Sequence, residues 1–206
     1  MRASDMNLIL ILYLETYSYF LALGTVFLQV VIAYLVFEYF FLREKYLSPY
    51  IERFALEIIC VVGLASVVFS FVYSEVFGLI PCALCWIQRG LLYAIVIISG
   101  TALWKKYWGV HRDVRGDVYK DMHERAVTDY GIVLSSIAGV IALYGHYLQM
   151  GGSALVTCPT AGAGAECAQR LVFEFGYITI PLMSLTTFVF FIVVFCMYRR
   201  GNTHME

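Results

Sequence analysis

The chain has 206 residues, of which 61% are hydrophobic, 17% aromatic and only 14% charged, and its mean hydropathy is +0.78. A water-soluble domain carries about 25% charged residues, so this composition excludes one and points to an all-α integral membrane protein whose first partner is the lipid bilayer. A formal net charge of −1 excludes a protein that binds nucleic acid through a global basic field.

A helix that crosses the hydrocarbon needs about 20 apolar residues, because the layer is about 30 Å thick and each residue rises about 1.5 Å. Five stretches qualify, in chain order Tyr17 to Phe41, Phe54 to Phe77, Cys82 to Trp104, Tyr130 to Met150 and Phe175 to Tyr198. Glu38, Glu57, Glu75 and Arg89 interrupt them with charge, each near a predicted end where a long side chain reaches the interface. The first is expected to be a retained span rather than a cleaved signal: the apolar run before Glu15 is short, Met1 to Asp5 is not strongly basic, and no small-residue cleavage site stands out. Lys105 to Asp129 is the one long polar stretch, and its mixed charges predict a solvated loop or short interfacial helix. No metal site is expected, since His111 and His123 do not have helical ligand spacing.

Lysine and arginine set the expected orientation. Arg43, Lys45 and Arg53 follow the first span, Lys105, Lys106, Arg112, Arg115, Lys120 and Arg125 the third, and Arg199 and Arg200 the fifth, which puts 11 of 14 basic residues on one side. That side is expected to be cytoplasmic, together with the C-terminus. Residues 1–53 then hold the first span and its linker, 54–198 the other four spans, which the resemblance given below implies form a four-helix bundle with the first span as an extra, and 199–206 a short cytoplasmic tail.

On this map four of the six cysteines face the extracytoplasmic, oxidising side. Cys82 and Cys85, in Pro81-Cys82-Ala83-Leu84-Cys85, open the third span, and Cys158 and Cys167 lie in the Gly-rich loop before the fifth. Cys60 and Cys196 fall within spans and read as small apolar side chains. At a helix start, Pro81 suits the first turn, and unpaired N–H groups with the positive end of the helix dipole favour a thiolate, the species that exchanges with disulfides. Arg89 lies one turn beyond Cys85, on the same face. Alone, Cys158 and Cys167 read equally as a structural bridge, but a second pair on the same face makes a disulfide relay the better reading. The chain has no nucleotide fingerprint, and Trp86 follows Cys85 where a haem motif needs histidine. A lipid-soluble acceptor, a quinone, remains by elimination.

These residues resemble the DsbB and BdbC type disulfide bond formation proteins. The carriers are Pro81-Cys82-Ala83-Leu84-Cys85-Trp86-Ile87-Gln88-Arg89, then Tyr144-Gly145-His146-Tyr147-Leu148-Gln149, then Cys158 and Cys167, then Phe175-Gly176-Tyr177-Ile178-Thr179-Ile180-Pro181-Leu182-Met183-Ser184-Leu185. The resemblance implies a four-helix bundle in the bacterial inner membrane that oxidises an extracytoplasmic thioredoxin-like dithiol partner and hands the electrons to ubiquinone or menaquinone. It implies that Cys158 is attacked by the partner, that Cys167 exchanges with Cys82, and that Cys85 meets the quinone beside Arg89 and His146. The extra N-terminal span departs from the family pattern, and the second cysteine pair encloses only eight residues. Two other readings compete. A vitamin K epoxide reductase-like protein places its loop cysteines before the membrane Cys-x-x-Cys, the reverse of the order here, and a non-catalytic bundle with structural bridges requires a strained bridge between residues three apart.

Overall fold

A computed structural model describes residues 3–41, 48–108, 114–153, 170 and 172–203. The helices are α1 (Ala3–Phe41), α2 (Ser48–Phe71, running on into a π turn at Val72–Val76), α3 (Ala83–Trp108), α4 (Val114–Gln149) and α5 (Ile180–Thr203). Each contains a stretch long and apolar enough to cross a membrane, so the all-α, five-span architecture is the one expected. Among the described residues the only β pairing is a single antiparallel bridge between Glu174 and Ile178.

Several boundaries differ from the sequence expectation: α1 begins at Ala3 rather than Tyr17, and α2 at Ser48 rather than Phe54. The third helix begins at Ala83 rather than Cys82. The fifth begins at Ile180 rather than Phe175, because Phe175 and Gly176 both take positive φ (52° and 78°) in a tight turn closed by the Ile178 N–H on the Glu174 carbonyl at 2.8 Å. The polar stretch expected as a loop or short interfacial helix is mostly the continuation of α3 to Trp108 and the start of α4 at Val114. Lys120 and Glu124, and Asp121 and Arg125, are four apart in sequence, a spacing that supports helix. The basic residues of the expected tail, Arg199 and Arg200, belong to the last turns of α5.

Helices α2 to α5 surround a core of Leu56, Ile59, Ile95, Phe188, Phe191 and Phe195, all 2% exposed or less. The outward faces carry Phe27, Phe40, Ile97 and Val140, all exposed, as lipid-facing positions require. Lipid is as apolar as these side chains, so helix association depends on close packing at small residues rather than on expulsion of water. Gly131 is such a position: a Cβ there would stand 2.3 Å from Cζ of the buried Phe195 ring. Gly63 admits Val96 in the same way, since a Cβ on Gly63 would stand 2.5 Å from Val96 Cγ2.

Polar contacts pin both ends of the bundle. At one end Glu57 Oε1 accepts from Lys106 Nζ and from the Tyr107 hydroxyl, each at 2.9 Å, joining the start of α2 to the end of α3. At the other, α4 stops in a Schellman arrangement, with Gly152 N–H on the Tyr147 carbonyl (3.0 Å) and Gly151 N–H on the Leu148 carbonyl (3.1 Å). Gly151 has φ +95°, and Arg170 Nε donates to the Gln149 carbonyl, placing a cation at the negative end of α4.

Gly131→Ala is expected to lower the thermal midpoint of the purified protein, at a cost of about 1–3 kcal/mol for forcing Phe195 out of its site. Gly139→Ala, whose Cβ would meet Leu185 Cδ1 at an ordinary 3.8 Å, should leave the midpoint unchanged or raise it.

Candidate functional site

The site is built from the start of α3 inward. Trp86 N–H donates to the Cys82 carbonyl at 3.1 Å, so Cys82 is the N-cap of α3 and Pro81 lies just before the helix rather than in its first turn. At an N-cap, a side-chain acceptor faces the N–H groups two and three residues on, which here belong to Leu84 and Cys85. The Cys82 and Cys85 sulfurs are 3.0 Å apart, against about 2.05 Å for a disulfide, and both cysteines are free. The Cys82 thiol, just outside the membrane-spanning part of α3, is lowered to about 6, first by the hydrogen bond with Cys85 and then by backbone N–H groups, against the opposing effect of burial. The helix start therefore favours a thiolate, as expected, and Cys82 is the residue that gains it.

One turn beyond Cys85, Arg89 is buried at 9% exposure. Its Nε donates to Ser70 Oγ and its Nη2 to the Ser70 carbonyl, both at 2.7 Å, and its Nη1 reaches Ser74 Oγ at 3.3 Å. The guanidinium carbon also lies 5.5 Å from the Trp86 ring centroid and 5.8 Å from that of Phe71, within the range of cation–π attraction. Ser70 and Ser74 share a face of α2 where it passes into the π turn, a distortion found often at functional sites. Arg89 thus joins α2 to α3 directly behind the cysteine pair.

Beneath this pair is a cavity of about 380 Å³, bordered by Cys82, Cys85, Gln88 and Arg89 of α3. Its remaining walls are mostly apolar side chains of α1, α2 and α5, with Ser70, Gln149, Ser184 and Thr187 among the polar exceptions. Gln88 is 6% exposed; its Oε1 accepts from Ser184 Oγ at 2.6 Å, while its Nε2 has no hydrogen-bond partner among the described residues. A buried donor without a partner costs about 1–3 kcal/mol unless something accepts from it. An apolar cavity with a cation and an unpaired amide N–H at its cysteine end fits a ligand with a carbonyl oxygen at one end and hydrocarbon at the other.

The structure brings Cys82, Cys85 and Arg89 around this cavity. His146 is not among its lining residues: its Nδ1 lies 2.8 Å from Thr179 Oγ1. Thr179 is the N-cap of α5, its carbonyl accepting from Met183 N–H at 3.0 Å and its hydroxyl from Leu182 N–H at 3.4 Å, so His146 ties α4 to the start of α5. Cys158 and Cys167 lie outside the described residues. Cys60 is buried and Cys196 exposed, and neither lines the cavity. Sequence reasoning did not single out Ser70, Ser74 or Gln88 as site residues. The available signal was a pair of serines four apart, and a glutamine beside the arginine, inside otherwise apolar spans.

Residues 52–198 match the model of the family described as Disulfide bond formation protein DsbB. The chain belongs to that family. Disulfide bond formation protein C of Bacillus subtilis (strain 168) is 31% identical over 142 residues, which are 68% of this chain and 88% of the relative. The SPbeta prophage-derived disulfide bond formation protein B of the same strain is 36% identical over 119 residues, 58% of this chain and 68% of the relative. A probable disulfide formation protein of Oceanobacillus iheyensis is 28% identical over 131 residues, covering 64% and 79%. No solved structure matches the chain at a significant level. The family match takes in all four cysteines of the two pairs, whereas α1 lies outside it.

In the reduced protein, alkylation of Cys82 should slow as pH falls through about 6, because the reactive thiolate is then protonated. An ordinary thiol shows this inflection at about 8.5. Mass-spectrometric quantification of the labelled peptide checks it, and Cys85→Ala should move the inflection upward by removing the first of the stabilising hydrogen bonds.

Proposed function

We propose that this protein oxidises the dithiol of an extracytoplasmic thioredoxin-like partner and transfers the electrons to membrane quinone, ubiquinone or menaquinone. The observation that carries this reading is the free Cys82 and Cys85 pair at the edge of an apolar cavity whose cysteine end presents Arg89 and the unpaired Gln88 amide. The excess of lysine and arginine at the opposite ends of the helices supports an orientation with both cysteine pairs outside the cytoplasm.

The steps balance as thiol–disulfide exchange. A partner thiolate attacks Cys158 of the Cys158–Cys167 disulfide, a mixed disulfide forms, and Cys167 leaves as a thiolate. The partner's second thiolate closes its own disulfide and releases Cys158. Cys167 then attacks Cys82 of the Cys82–Cys85 disulfide and Cys85 leaves. Cys158 attacks Cys167, restoring the loop disulfide and releasing Cys82, whose lowered pKa makes it the better leaving group.

A bound quinone supplies the acceptor for the two electrons and two protons given up when the Cys82 and Cys85 thiols rejoin as a disulfide. Arg89, anchored by Ser70 and Ser74, holds a positive charge one turn from Cys85. Arg89 and the unpaired Gln88 Nε2 would hold the acceptor's carbonyl oxygen, and the apolar walls of the cavity would keep water from it.

The test is quinone reduction by the purified protein with a reduced thioredoxin-like donor. Replacing any one of Cys82, Cys85, Cys158 and Cys167 by Ala should abolish turnover, and Cys60→Ala and Cys196→Ala should retain it. Turnover that survives Cys158→Ala would overturn the order of transfer given above. Arg89→Ala should raise the KM for quinone about tenfold or more, as expected for losing a charge-assisted hydrogen bond worth about 1.5–3 kcal/mol. Partner oxidation in a single turnover should persist in that variant.

A further inference from the structure

The cavity is not made by the four-helix bundle alone. Leu21, Gly24, Thr25 and Leu28 of α1 line it, and their spacing puts them on one helix face. The Thr25 hydroxyl donates to the Leu21 carbonyl at 2.9 Å, so its polarity is spent within α1. This helix packs along α5 and touches α2 much less, and the cavity occupies the seam that this leaves between α1 and α2. On the α2 side its lining runs from Tyr73 to Val61, a length of about 18 Å at 1.5 Å per residue. The polar groups beside Cys85 are Gln88 and Arg89; away from them the lining is mostly apolar, with Leu28, Val61, Val62, Leu92 and Phe188 and the polar exception Thr187. One ring at the cysteines does not account for a bore of that length.

Polar contacts at the edges hold α1 in place. The Tyr73 hydroxyl donates to Ser18 Oγ at 3.2 Å and the Tyr17 hydroxyl to the Phe69 carbonyl at 3.1 Å. Gln29 donates to Thr186 at 3.3 Å and accepts from Tyr177 at 3.2 Å. Between these anchors Gly24 has no side chain, and a Cβ there would meet nothing within 4 Å. The space at Gly24 is part of the bore.

We propose that α1 is a component of the acceptor site, its Leu21, Gly24, Thr25 and Leu28 face forming the wall that binds the hydrocarbon tail of the quinone. This inference rests on the quinone reading above. Gly24 sets the width of the bore, and the α1–α2 seam is the side through which a tail lies open to the bilayer. The chemistry recognised is a long hydrocarbon chain, which a phospholipid could also supply, so the test separates the two.

The experiment is equilibrium binding to the purified protein without turnover, read by quenching of tryptophan emission. The two ligands are a benzoquinone carrying a long isoprenoid tail and the same ring without a tail. Gly24→Leu, whose side chain starts in open space and so should fold, is expected to raise the Kd of the tailed quinone at least tenfold and that of the tail-less ring less than twofold. Gly24→Phe should act in the same direction, and Phe27→Ala, on the lipid-facing side of α1, should change neither. Equal losses for both ligands, or no loss for either, would overturn the wall assignment while leaving the quinone reading intact. A wild-type protein that binds neither ligand would overturn the quinone reading and this inference with it. Excess phospholipid should leave the tailed quinone bound; displacement would assign the wall to lipid chains and overturn the proposal.

Discussion

A guanidinium inside an apolar bundle is tolerable only where its N–H groups find acceptors, because a buried charge without partners costs far more than any single packing contact returns. Arg89 meets that requirement on α2: Ser70 supplies a hydroxyl and a carbonyl, Ser74 a second hydroxyl, and Phe71 and Trp86 supply ring faces. Meeting it sets the register of α2 against α3 at the level of the cysteine pair. The π turn at Val72–Val76 lies where α2 has to present these acceptors. With Arg89 anchored sideways onto α2, the space beneath Cys85 stays open as a cavity.

The start of α3 is graded in polarity over two turns. Cys82, at the N-cap, takes backbone N–H groups, which together with the Cys85 hydrogen bond lower its thiol pKa. Cys85 lies inward with its sulfur 3.0 Å away, and Gln88 and Arg89 follow one turn deeper, buried. A thiolate is favoured at the first position, and a cation stands one turn beyond the second. The two sulfurs of one short motif thus occupy different electrostatic settings, although only three residues separate them in sequence. Proline before the helix contributes by leaving the N-cap place to Cys82, which a helix beginning at Pro81 would have denied it.

Much of this was legible in the sequence because the membrane makes composition and length decisive. The five spans, the cysteine pair at the head of the third and the arginine one turn below follow from hydropathy and spacing alone. Local hydrogen bonding decided what was not legible. Phe175 to Thr179 is as apolar as a helix start, yet Gly176 and the Glu174–Ile178 bridge turn the chain before α5 begins. Ser70 and Ser74 look like small fillers in an apolar helix until the side chain they satisfy is known. His146 is legible as a polar residue in an apolar helix, but not that its Nδ1 meets the N-cap hydroxyl of α5. Hydropathy reports which face of a residue is wet, and it does not report which of two helices a polar side chain will join.

The role of α1 was the least legible, since it lies outside the stretch matched to the family and its sequence offers only an apolar run. Its attachment distinguishes it from the other helices. The bundle proper is closed by interlocked rings and small residues, as at Gly131 and Phe195, an arrangement that leaves no room between helices. By contrast, α1 meets α2 mainly near one end, where Tyr17 and Ser18 bond to Phe69 and Tyr73 and the Tyr17 ring packs on Tyr73, while Gln29 ties it to Thr186 of α5. Edge anchoring of this kind preserves a gap that close packing would eliminate. The chemistry-bearing groups stand on α2 and α3, where packing is tight enough to hold their geometry, and the apolar length of the cavity lies where packing is loose enough to admit a chain.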